Sequence, residues 1–390
     1  MTASCSSPRR GPAGPGVLYH NMLVSPRLGG AEQLAIEIHK RAEAARPGRS
    51  ELLVPENGAA RDAAQAGGLR FRTFGFDSLM NGGRLASLGA NLGMLGSLGR
   101  AAGTLLHVHS PFVYGALRPY LAVSAVRTVL HLHLDYSVEQ LKWALKRPPD
   151  VIITCARFMI ERVERALAAT GASRTKIVPV INAVDVERFV PGDRVQARRD
   201  LHVSTEMPVA LMAANLSPHK GQETAIRAVA SLAAHGTRTE LWLVGEDREN
   251  TGYSAHLRQL ADTLGAGDLV KLMGFRRDMP RLLHAANCLL LPSTSEGLPL
   301  SILEAQASKV VVLAAPTAGI PEIIDNGRTG YLIGAQDAEG YANALALVLS
   351  NAGIAQSVSE AAYQQVISQF SLKPYSEKIF AEYDALLEAA

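Results

Sequence analysis

The sequence predicts an α/β fold with two doubly wound domains, each built on a parallel, Rossmann-like sheet. Short apolar runs alternate with longer helical segments from Gly16 onward, as expected for parallel strands joined by crossover helices. A charged, turn-rich stretch from Asp185 to Met207 interrupts this alternation. The length of 390 residues also suits two domains, since a domain usually has about 100–200 residues.

Two series of predicted strands define the domains. The first series consists of Val17–Leu23, Glu51–Val54, Leu69–Phe74, Leu105–His109, Thr128–His133, Val151–Thr154 and Lys176–Ile181. The second series consists of Val209–Ala213, Glu240–Val244, Leu269–Met273, Cys288–Leu291, Val310–Leu313 and Gly330–Ile333. We therefore predict domains over residues 17–190 and 191–370, a last segment over residues 371–390, and a flexible tail over residues 1–16, which are rich in Ser, Pro, Gly and Arg.

The composition predicts a cytoplasmic globular protein. Hydrophobic residues make up 47% of the chain and charged residues 19%, which is usual for a protein with sizeable cores. The three cysteines have no metal-ligand spacing, and Cys155 and Cys288 lie in apolar runs, which fits a reducing compartment. No apolar run is long enough for a membrane span, and residues 1–16 lack the apolar middle of a signal peptide.

Charge is distributed unevenly along the chain. Residues 1–195 contain 24 Lys and Arg against 15 Asp and Glu, whereas the rest contains 15 against 21. A basic first half suggests an anionic partner such as a membrane surface, although a random imbalance of solvated faces is an equal alternative. Nucleic acid is a poor candidate because the basic residues are scattered and no set of aromatic residues accompanies them.

A leucine-rich helix is predicted in the first half. Its leucines, which fall on one helical face, are Leu85, Leu88, Leu92, Leu95 and Leu98. We interpret this face as packed on the protein core. The alternative is a surface that rests on lipid, which the basic first half would favour.

The stretch Leu291–Gln306, LPSTSEGLPLSILEAQ, is a candidate site for an anion. It predicts a strand, a tight loop and a helix with Pro299 in its first turn. The free amides at such a helix end attract phosphate. Glu296 lies at the mouth of this site and Glu304 eight positions further on, where carboxylates suit the binding of hydroxyl groups. A nucleotide-sugar carries both a diphosphate and hydroxyls.

Two further turns follow the first strand of each domain. Gly29 and Gly30 would let the backbone approach a ligand closely, with an ordinary tight turn as the alternative. In the second domain, Lys220 and Gly221 stand at a helix start, where a lysine supplies a point charge to phosphate. An exposed lysine without a ligand is the alternative for Lys220.

Four histidines lie in pairs at the ends of two predicted strands: His107, His109, His131 and His133. They raise the possibility of a zinc site, which we disfavour because no Cys, Asp or Glu completes a ligand spacing around them. Hydrogen-bonded histidines at strand ends are the preferred interpretation for His107 and His131.

Together these motifs resemble the retaining glycosyltransferases of family 4. The resemblance rests on Glu296 and Glu304 with seven residues between them, on the string LPSTSEGLPLSILEA, and on PTAGIPEIIDNGRTGYLI after it. It implies the GT-B fold, with two domains facing across a cleft and a last helix, Leu372–Leu387, that crosses back to the first domain. It also implies transfer from a nucleoside-diphosphate sugar to a glycan, lipid-linked or small-molecule acceptor in polysaccharide or glycolipid synthesis, with no metal or other cofactor.

The resemblance also implies roles for individual residues. His133, Lys220 and Glu296 would be the catalytic residues, and His109 would line the acceptor side. The donor-binding residues would be Gly29, Gly30, Asn215, Lys220, Gly245, Gly274, Phe275, Glu296, Gly297, Leu298, Pro299, Leu300 and Glu304. The family usually has an arginine where this chain has Asn215, so we expect weaker donor binding or substitution by Arg276 or Arg277.

Other interpretations remain open. Asn182 and Asp185, in a stretch that resembles the family's linker, are expected to be turn and capping residues. A glycoside hydrolase is disfavoured because eight helical residues span roughly 12 Å, more than the separation of its two carboxylates. A nucleotide-sugar epimerase and a non-catalytic binding subunit on the same scaffold are the remaining alternatives.

Overall fold

The computed structural model describes residues 18–22, 28–98, 104–171, 174–247 and 250–388. The predicted flexible tail and Cys5 lie outside these ranges. The strands are β1 Leu18–Met22, β2 Ser50–Pro55, β3 Phe71–Phe74, β4 Thr104–Val108, β5 Arg127–Leu132, β6 Val151–Thr154, β7 Lys176–Pro179, β8 Val209–Ala213, β9 Glu240–Val244, β10 Val270–Gly274, β11 Cys288–Leu291, β12 Val311–Ala314 and β13 Tyr331–Leu332. Each predicted strand is present within two residues at either end.

The α-helices are α1 Gly30–Ala45, α2 Ala59–Ala66, α3 Phe76–Met80, α4 Gly83–Leu98, α5 Pro111–Ala116, α6 Arg118–Ala122, α7 Val138–Ala144, α8 Ile160–Ala168, α9 Arg194–Asp200, α10 Gln222–Ala234, α11 Tyr253–Thr263, α12 Met279–Ala285, α13 Leu300–Ala307, α14 Ala338–Ser350, α15 Ala352–Gln369 and α16 Leu372–Glu388. Short 3-10 turns precede α8 and α10 and follow β12. Within the described ranges, no helix combines the length and apolar character that crossing a bilayer requires.

Two sheets organise the chain. The first has seven strands in the order β3-β2-β1-β4-β5-β6-β7, and the second has six in the order β10-β9-β8-β11-β12-β13. All five strand pairs of the second sheet are parallel. In both sheets the order reverses beside the first strand, between β1 and β4 and between β8 and β11. This is the doubly wound order, and ligands of such sheets bind at the carboxyl ends of the strands beside the reversal.

The second sheet is buried under helices on an apolar core. Its strand β11 reads CLLL and is fully buried, as expected for a central parallel strand covered on both faces. Ala210, Leu241 and Leu290 pack in this core with residues from α10, α11, α14 and α15. Cys288, at the start of β11, is buried as predicted. The core holds the ends of β8 and β11 at fixed positions, and the candidate site is built on those ends.

The contacts within the chain divide it into two compact units. One comprises Met1–Leu130, Ala144–Val151 and Phe380–Ala390, and the other comprises His131–Trp143 and Ile152–Ile379. The carboxyl-terminal part of α16 belongs to the first unit, where Asp384 forms an ion pair with Arg46 at 2.8 Å. The predicted boundaries at residues 190 and 370 stay a prediction.

The structure corrects the interpretation of the leucine-rich helix α4. Leu85 is 87% exposed, Leu88 49% and Leu92 60%, so the prediction that this face packs on the core is wrong for these three leucines. The buried side of α4 instead carries Asn91 and Met94. Asn91 fixes this orientation because its Nδ2 donates to the carbonyl of Ala116 at 3.2 Å and its Oδ1 accepts from the amide of Tyr120 at 3.1 Å.

Candidate functional site

The candidate site lies where the second sheet reverses its strand order. Lys220 follows β8, and residues 296–299 follow β11, so the two loops leave neighbouring parallel strands at the same edge. The loops are also tied to each other, because the amide of Thr294 donates to the carbonyl of His219 at 2.8 Å. Residues that are far apart in the sequence are thereby brought together at the place where doubly wound sheets bind ligands.

The loop after β11 leads into α13, which begins one residue later than predicted. Pro299, with φ −72° and ψ 124°, is the N-cap residue, and the helix begins at Leu300 rather than with Pro299 in its first turn. Leu298 is buried and Leu300 is partly buried. The amide of Ile302 donates to the carbonyl of Pro299 at 3.4 Å, which leaves the amides of Leu300 and Ser301 available to an anion at this end.

Gly297 has to be glycine because the chain passes very close to a neighbouring backbone. A Cβ at this position would lie 2.7 Å from the carbonyl oxygen of His133. The carbonyl of Gly297 also accepts a hydrogen bond from the amide of Gly319 at 3.0 Å. These contacts fix the loop that precedes α13.

Asn182 also holds this loop, which the sequence analysis did not predict. Its side chain is buried, and Nδ2 donates to the carbonyl of Leu298 at 2.9 Å. Asp185, in contrast, caps its own turn as predicted, because its Oδ1 accepts from the amides of Glu187 at 3.0 Å and Arg188 at 3.2 Å. Asn182 is therefore a positioning residue for the start of α13.

Lys220 and Glu296 form an ion pair at the mouth of the site. Lys220 Nζ lies 2.8 Å from Glu296 Oε2, with side-chain exposures of 19% and 8%. The sequence analysis assigned the two residues to different parts of a donor and did not predict their contact. Such a shielded pair orients both charges beside the amides of α13.

Gly221 sets the direction of Lys220. It lies in the left-handed region at φ +80°, and a Cβ there would approach the carbonyl oxygen of Pro292 to 2.1 Å. It is also the N-cap residue of α10, so Lys220 and Gly221 stand at a helix start as predicted. No larger residue fits between the two loops.

Glu304 lies within α13 and is partly buried. Burial raises the pKa of its carboxyl to about 7, and the charge of Arg188 opposes this rise. Among the described residues, no hydrogen bond to its carboxylate is formed. A carboxyl group in this state can accept hydrogen bonds from hydroxyl groups of a ligand.

The remaining donor-side residues follow β8, β9 and β10. Asn215 is exposed, and its carbonyl accepts from Gln222 Nε2 at 2.9 Å. A Cβ at Gly245 would lie 2.0 Å from the carbonyl oxygen of Ala214, so only glycine fits there. The amide of Gly245 donates to the carbonyl of Gly274 at 2.9 Å, which joins two of these strand ends. Phe275, directly after Gly274, is 53% exposed and offers a free aromatic face.

Arg276 is a poor substitute for the arginine expected at position 215. Its guanidinium donates two hydrogen bonds to Asp278, at 2.8 and 2.7 Å. These hydrogen bonds hold the pKa of the Asp278 carboxyl below its usual range. Arg277 is exposed. An anion would have to compete with Asp278 for Arg276, so Arg277 is the better candidate of the two.

The histidine pairs are buried and stacked. The rings of His131 and His133 are 4.0 Å apart, and burial lowers the pKa of His133 to about 3, so its imidazole is neutral at physiological pH. The rings of His107 and His109 are 4.2 Å apart, and Nδ1 of His107 lies 2.5 Å from the hydroxyl of Tyr383. The role of His109 on the acceptor side stays a prediction. The expectation that these histidines do not bind zinc also stays a prediction.

Gly29 is the N-cap residue of α1 and Gly30 is its first residue, one position earlier than the predicted helix start, and the amide of Gly29 already has a partner. It donates to Glu32 Oε2 at 2.9 Å, and a Cβ on Gly29 would also lie 2.9 Å from this oxygen. Residues 23–27 of the same loop lie outside the described ranges. A ligand phosphate would therefore have to displace Glu32 to reach the amide of Gly29.

Comparison with known proteins shows what the chain resembles. Residues 193–365 match the family model of glycosyl transferases group 1. D-inositol 3-phosphate glycosyltransferase of Mycobacterium marinum is 31% identical over 228 residues, which are 57% of this chain and 48% of that protein. The Kribbella flavida protein of the same name is 28% identical over 259 residues, 60% of either chain. The match to the first of these curated relatives thus spans about half of its length.

Solved structures share the fold. A glycosyltransferase from Rickettsia africae covers 96% of this chain and 99% of its own, with a TM-score of 0.81 at 19% identity. Anabaena HepE in complex with UDP covers 95% of this chain and 100% of its own, with a TM-score of 0.78 at 20% identity. The sucrose-phosphate synthase of Thermosynechococcus elongatus has a TM-score of 0.78 at 18% identity. These similarities confirm the predicted GT-B fold.

Proposed function

We propose that the protein transfers a sugar from a nucleoside-diphosphate sugar to an acceptor with retention of anomeric configuration, and the match of residues 193–365 to the family model of glycosyl transferases group 1 supports the transfer reaction. The observation that carries the proposal is the pair of Lys220 and Glu296, 2.8 Å apart at the amino-terminal end of α13. A cation, free amides and a carboxylate in one place suit a ligand with both a diphosphate and hydroxyl groups.

Lys220 and the end of α13 would stabilise the leaving group. Breaking the bond between a sugar and a nucleoside diphosphate develops negative charge on the phosphate oxygens. Lys220 is held by Glu296 and the first amides of α13 are fixed by the helix, so both are oriented before the reaction begins. Preorganised charges of this kind commonly supply a large part of the rate enhancement. We propose that this arrangement makes a divalent metal dispensable.

The carboxylates would hold the sugar parts of the donor. Glu296 would accept hydrogen bonds from hydroxyls of the transferred hexose, and Glu304 from the ribose. His133 would contact the hexose as a neutral imidazole, since its pKa is lowered to about 3 by burial. In this scheme the leaving phosphate accepts the proton of the acceptor, so no separate carboxylate base is required.

The nucleoside would lie against Phe275 and above Gly245 and Gly274. An exposed aromatic ring next to two strand ends offers a stacking surface for a base. The neighbouring structures of Anabaena HepE are complexes with UDP, with UDP and glucose, and with UDP-glucose. We therefore propose a UDP-sugar as the first donor to test, ahead of GDP- and ADP-sugars.

The acceptor is proposed to be a glycan, a lipid-linked intermediate or a small polyol. The exposed leucines of α4 and the basic first half favour a protein that works in the cytoplasm at the inner face of an anionic membrane. The names of the curated relatives make inositol 3-phosphate a reasonable small acceptor to include in a panel.

The decisive experiment compares variants in donor binding and in sugar transfer. We expect Glu304→Ala to abolish binding of the UDP-sugar in titration calorimetry, because the ribose loses its acceptor. We expect Lys220→Ala to bind the donor but to transfer about 100-fold more slowly, because the charge at the leaving phosphate is lost. Lys271→Ala is the matched control, since Lys271 is exposed and its Nζ contacts only the carbonyl of Asp268 at 2.9 Å.

The outcomes also separate the alternative functions. Donor turnover without any acceptor would indicate an epimerase, and donor binding without turnover in the presence of the acceptor panel would indicate a non-catalytic subunit. Wild-type behaviour of both Lys220→Ala and Glu304→Ala would contradict the proposed site altogether.

A further inference from the structure

A second pocket lies in the unit that contains the candidate site, at the opposite end of α13. It encloses about 330 Å³. Its polar rim is formed by Arg194, Asn287 and Lys309, and its apolar floor includes Val311 and Val348. Lys309 follows the carboxyl-terminal end of α13, whereas the candidate donor site is at the amino-terminal end. A helix of eight residues separates the two ends by about 12 Å. The volume suits a small molecule rather than a polymer.

The rim carries an uncompensated positive charge. Among the described residues, no hydrogen bond or ion pair to the guanidinium of Arg194 is formed, and desolvation lowers the pKa of this side chain. Burial lowers the pKa of Arg198, and the charge of nearby Arg194 lowers it further. The guanidinium of Arg198 bonds only neutral acceptors, namely the carbonyl of Ala285 at 2.9 Å, that of Thr205 at 2.8 Å and Oδ1 of Asn287 at 2.7 Å. An anion in the pocket would therefore meet the exposed guanidinium of Arg194, which no hydrogen-bonded carboxylate neutralises, whereas Arg198 is buried and does not line the pocket.

Lys309 is held in place at the other side of the rim. Its backbone has φ +57°, and its Nζ lies 2.6 Å from Glu360 Oε2 and 4.7 Å from the ring centre of Tyr363. Glu360 neutralises most of its charge but also fixes its direction. Lys309 can thus donate a hydrogen bond to a ligand without a large loss of side-chain entropy.

The first turn of α15 closes the pocket. Ala352 and Ala355 line it. Oδ1 of the N-cap residue Asn351 accepts one hydrogen bond, from the amide of Ile354 at 3.0 Å. The positive end of this 18-residue helix therefore adds to the charge of Arg194. Small alanines at the wall and Val311 and Val348 on the floor leave room for an apolar group below the charged rim.

We propose that this pocket binds a small organic phosphate or carboxylate that carries an apolar group. The anionic group contacts Arg194 and the amino-terminal end of α15, and the apolar group lies on Val311 and Val348. The site is separate from the proposed donor site and does not depend on the proposed reaction.

The test uses phenyl phosphate as the probe and the full-length Lys220→Ala protein as the background, because this variant keeps the other proposed donor contacts but lacks the cation that would hold a lone phosphate in the donor site. We expect saturable binding in titration calorimetry, and binding of inorganic phosphate and of phenol about tenfold weaker each, because each provides only half of the contacts. Arg194→Gln should weaken phenyl phosphate binding about tenfold, since a charge-assisted hydrogen bond is lost. The matched control is Arg199→Gln, on the exposed side of the same helix α9.

A second variant tests the cavity without changing its charge. Ala355→Phe fills the space beside the floor, and we expect it to abolish phenyl phosphate binding while the thermal unfolding temperature stays within a few degrees of wild type. Equal affinities of the Arg194→Gln and Arg199→Gln proteins would overturn the proposal. Loss of binding in the Lys220→Ala background relative to wild type would do the same, because it would place the phosphate in the donor site.

Discussion

Lys220 and Glu296 form an ion pair in a site that we expect to bind a diphosphate and a hexose, so both side chains must change partners when a donor arrives. Each is more than four-fifths shielded from solvent, which makes separation of the pair costly unless the donor replaces both partners at once. A diphosphate next to Lys220 and hydroxyls next to Glu296 would do so. A free inorganic phosphate would satisfy only Lys220, and the pair thereby favours complete nucleotide-sugars over simple anions.

Gly221 offers a direct test of the loop geometry at this site. We expect Gly221→Ala to destabilise the protein by about 3 kcal/mol or more, since a Cβ would approach the carbonyl oxygen of Pro292 to 2.1 Å in addition to the strain of φ +80°. Gly236 is the matched control, because it has φ +88° but no atom within 4 Å of a Cβ. Gly236→Ala should cost only about 1–2 kcal/mol. Urea denaturation of both variants measures the difference, and equal losses would show that the contact with Pro292 is not tight.

A second prediction concerns Glu304 and the pH dependence of the free energy of unfolding. Burial raises the pKa of its carboxyl from 4.5 to about 7 in the folded protein. Its contribution to stability is therefore fully present below pH 4.5 and is lost as the pH rises through 7. Glu304→Gln removes this dependence. From pH 5 to pH 8 we therefore expect the free energy of unfolding of the variant to rise by about 1–2 kcal/mol relative to that of wild type.

The measurement for Glu304 is the free energy of unfolding in urea at the two pH values. Glu377→Gln serves as the control, since Glu377 is exposed on α16 and should show no relative change. A wild-type protein that gains stability relative to Glu304→Gln at pH 8 would show that the carboxylate is favoured by its surroundings.

The site residues show what local sequence can and cannot reveal. The string after β11 identified Glu296, Gly297 and Pro299 because strand, loop and helix start are all encoded within a few residues. The pairing of Lys220 with Glu296 joins positions 76 apart, and the bond from Asn182 to Leu298 joins positions 116 apart. Such contacts depend on how the strands are ordered in the sheet, which periodicity alone does not specify.

At the scale of elements, strands were easier to predict than the orientation of a helix. Buried parallel strands such as β8 and β11 are short apolar runs between polar loops, and their predicted and observed ends agree. The leucines of α4 share a helical face, but a shared face can point inward or outward. Asn91 decides the orientation through its bonds to the backbone of Ala116 and Tyr120. A single asparagine carries no such signal in the sequence.

The exposed leucine face of α4 predicts association with lipid. We expect the protein to sediment with vesicles that contain phosphatidylglycerol and not with neutral phosphatidylcholine vesicles, and the association to weaken at high salt. The double variant Leu85→Ser with Leu92→Ser should reduce the partition coefficient about tenfold or more, because two large apolar side chains are lost from the interface. Its unfolding temperature should not fall.

The control for this experiment is Leu347→Ser, which removes a leucine that is 38% exposed on α14. It should sediment like wild type. Equal sedimentation of the double variant and the control would show that α4 does not contact the membrane, and the exposed leucines would then need another partner.

At the scale of the whole molecule, the second sheet carries most of the proposed donor site within one sequence segment. Its core is drawn from residues 210–358, so the sheet and its helices have an apolar interior of their own. The loop before α13, however, also depends on residues outside the predicted second domain, since Asn182 binds the carbonyl of Leu298 and the amide of Val184 donates to the carbonyl of Phe370 at 2.9 Å.

Two fragments separate these contributions. We expect residues 191–371 to unfold cooperatively on heating, because the core is complete, but to bind UDP about tenfold more weakly than the full chain, because the start of α13 loses Asn182. A fragment of residues 180–371 restores Asn182 and Val184 and should recover a measurable part of the affinity in titration calorimetry. Replacement of Asn182 by alanine within this longer fragment should cancel the recovery. If the two fragments bind UDP equally, Asn182 does not position the loop, and if the shorter one shows no cooperative transition, the predicted boundary at residue 190 is misplaced.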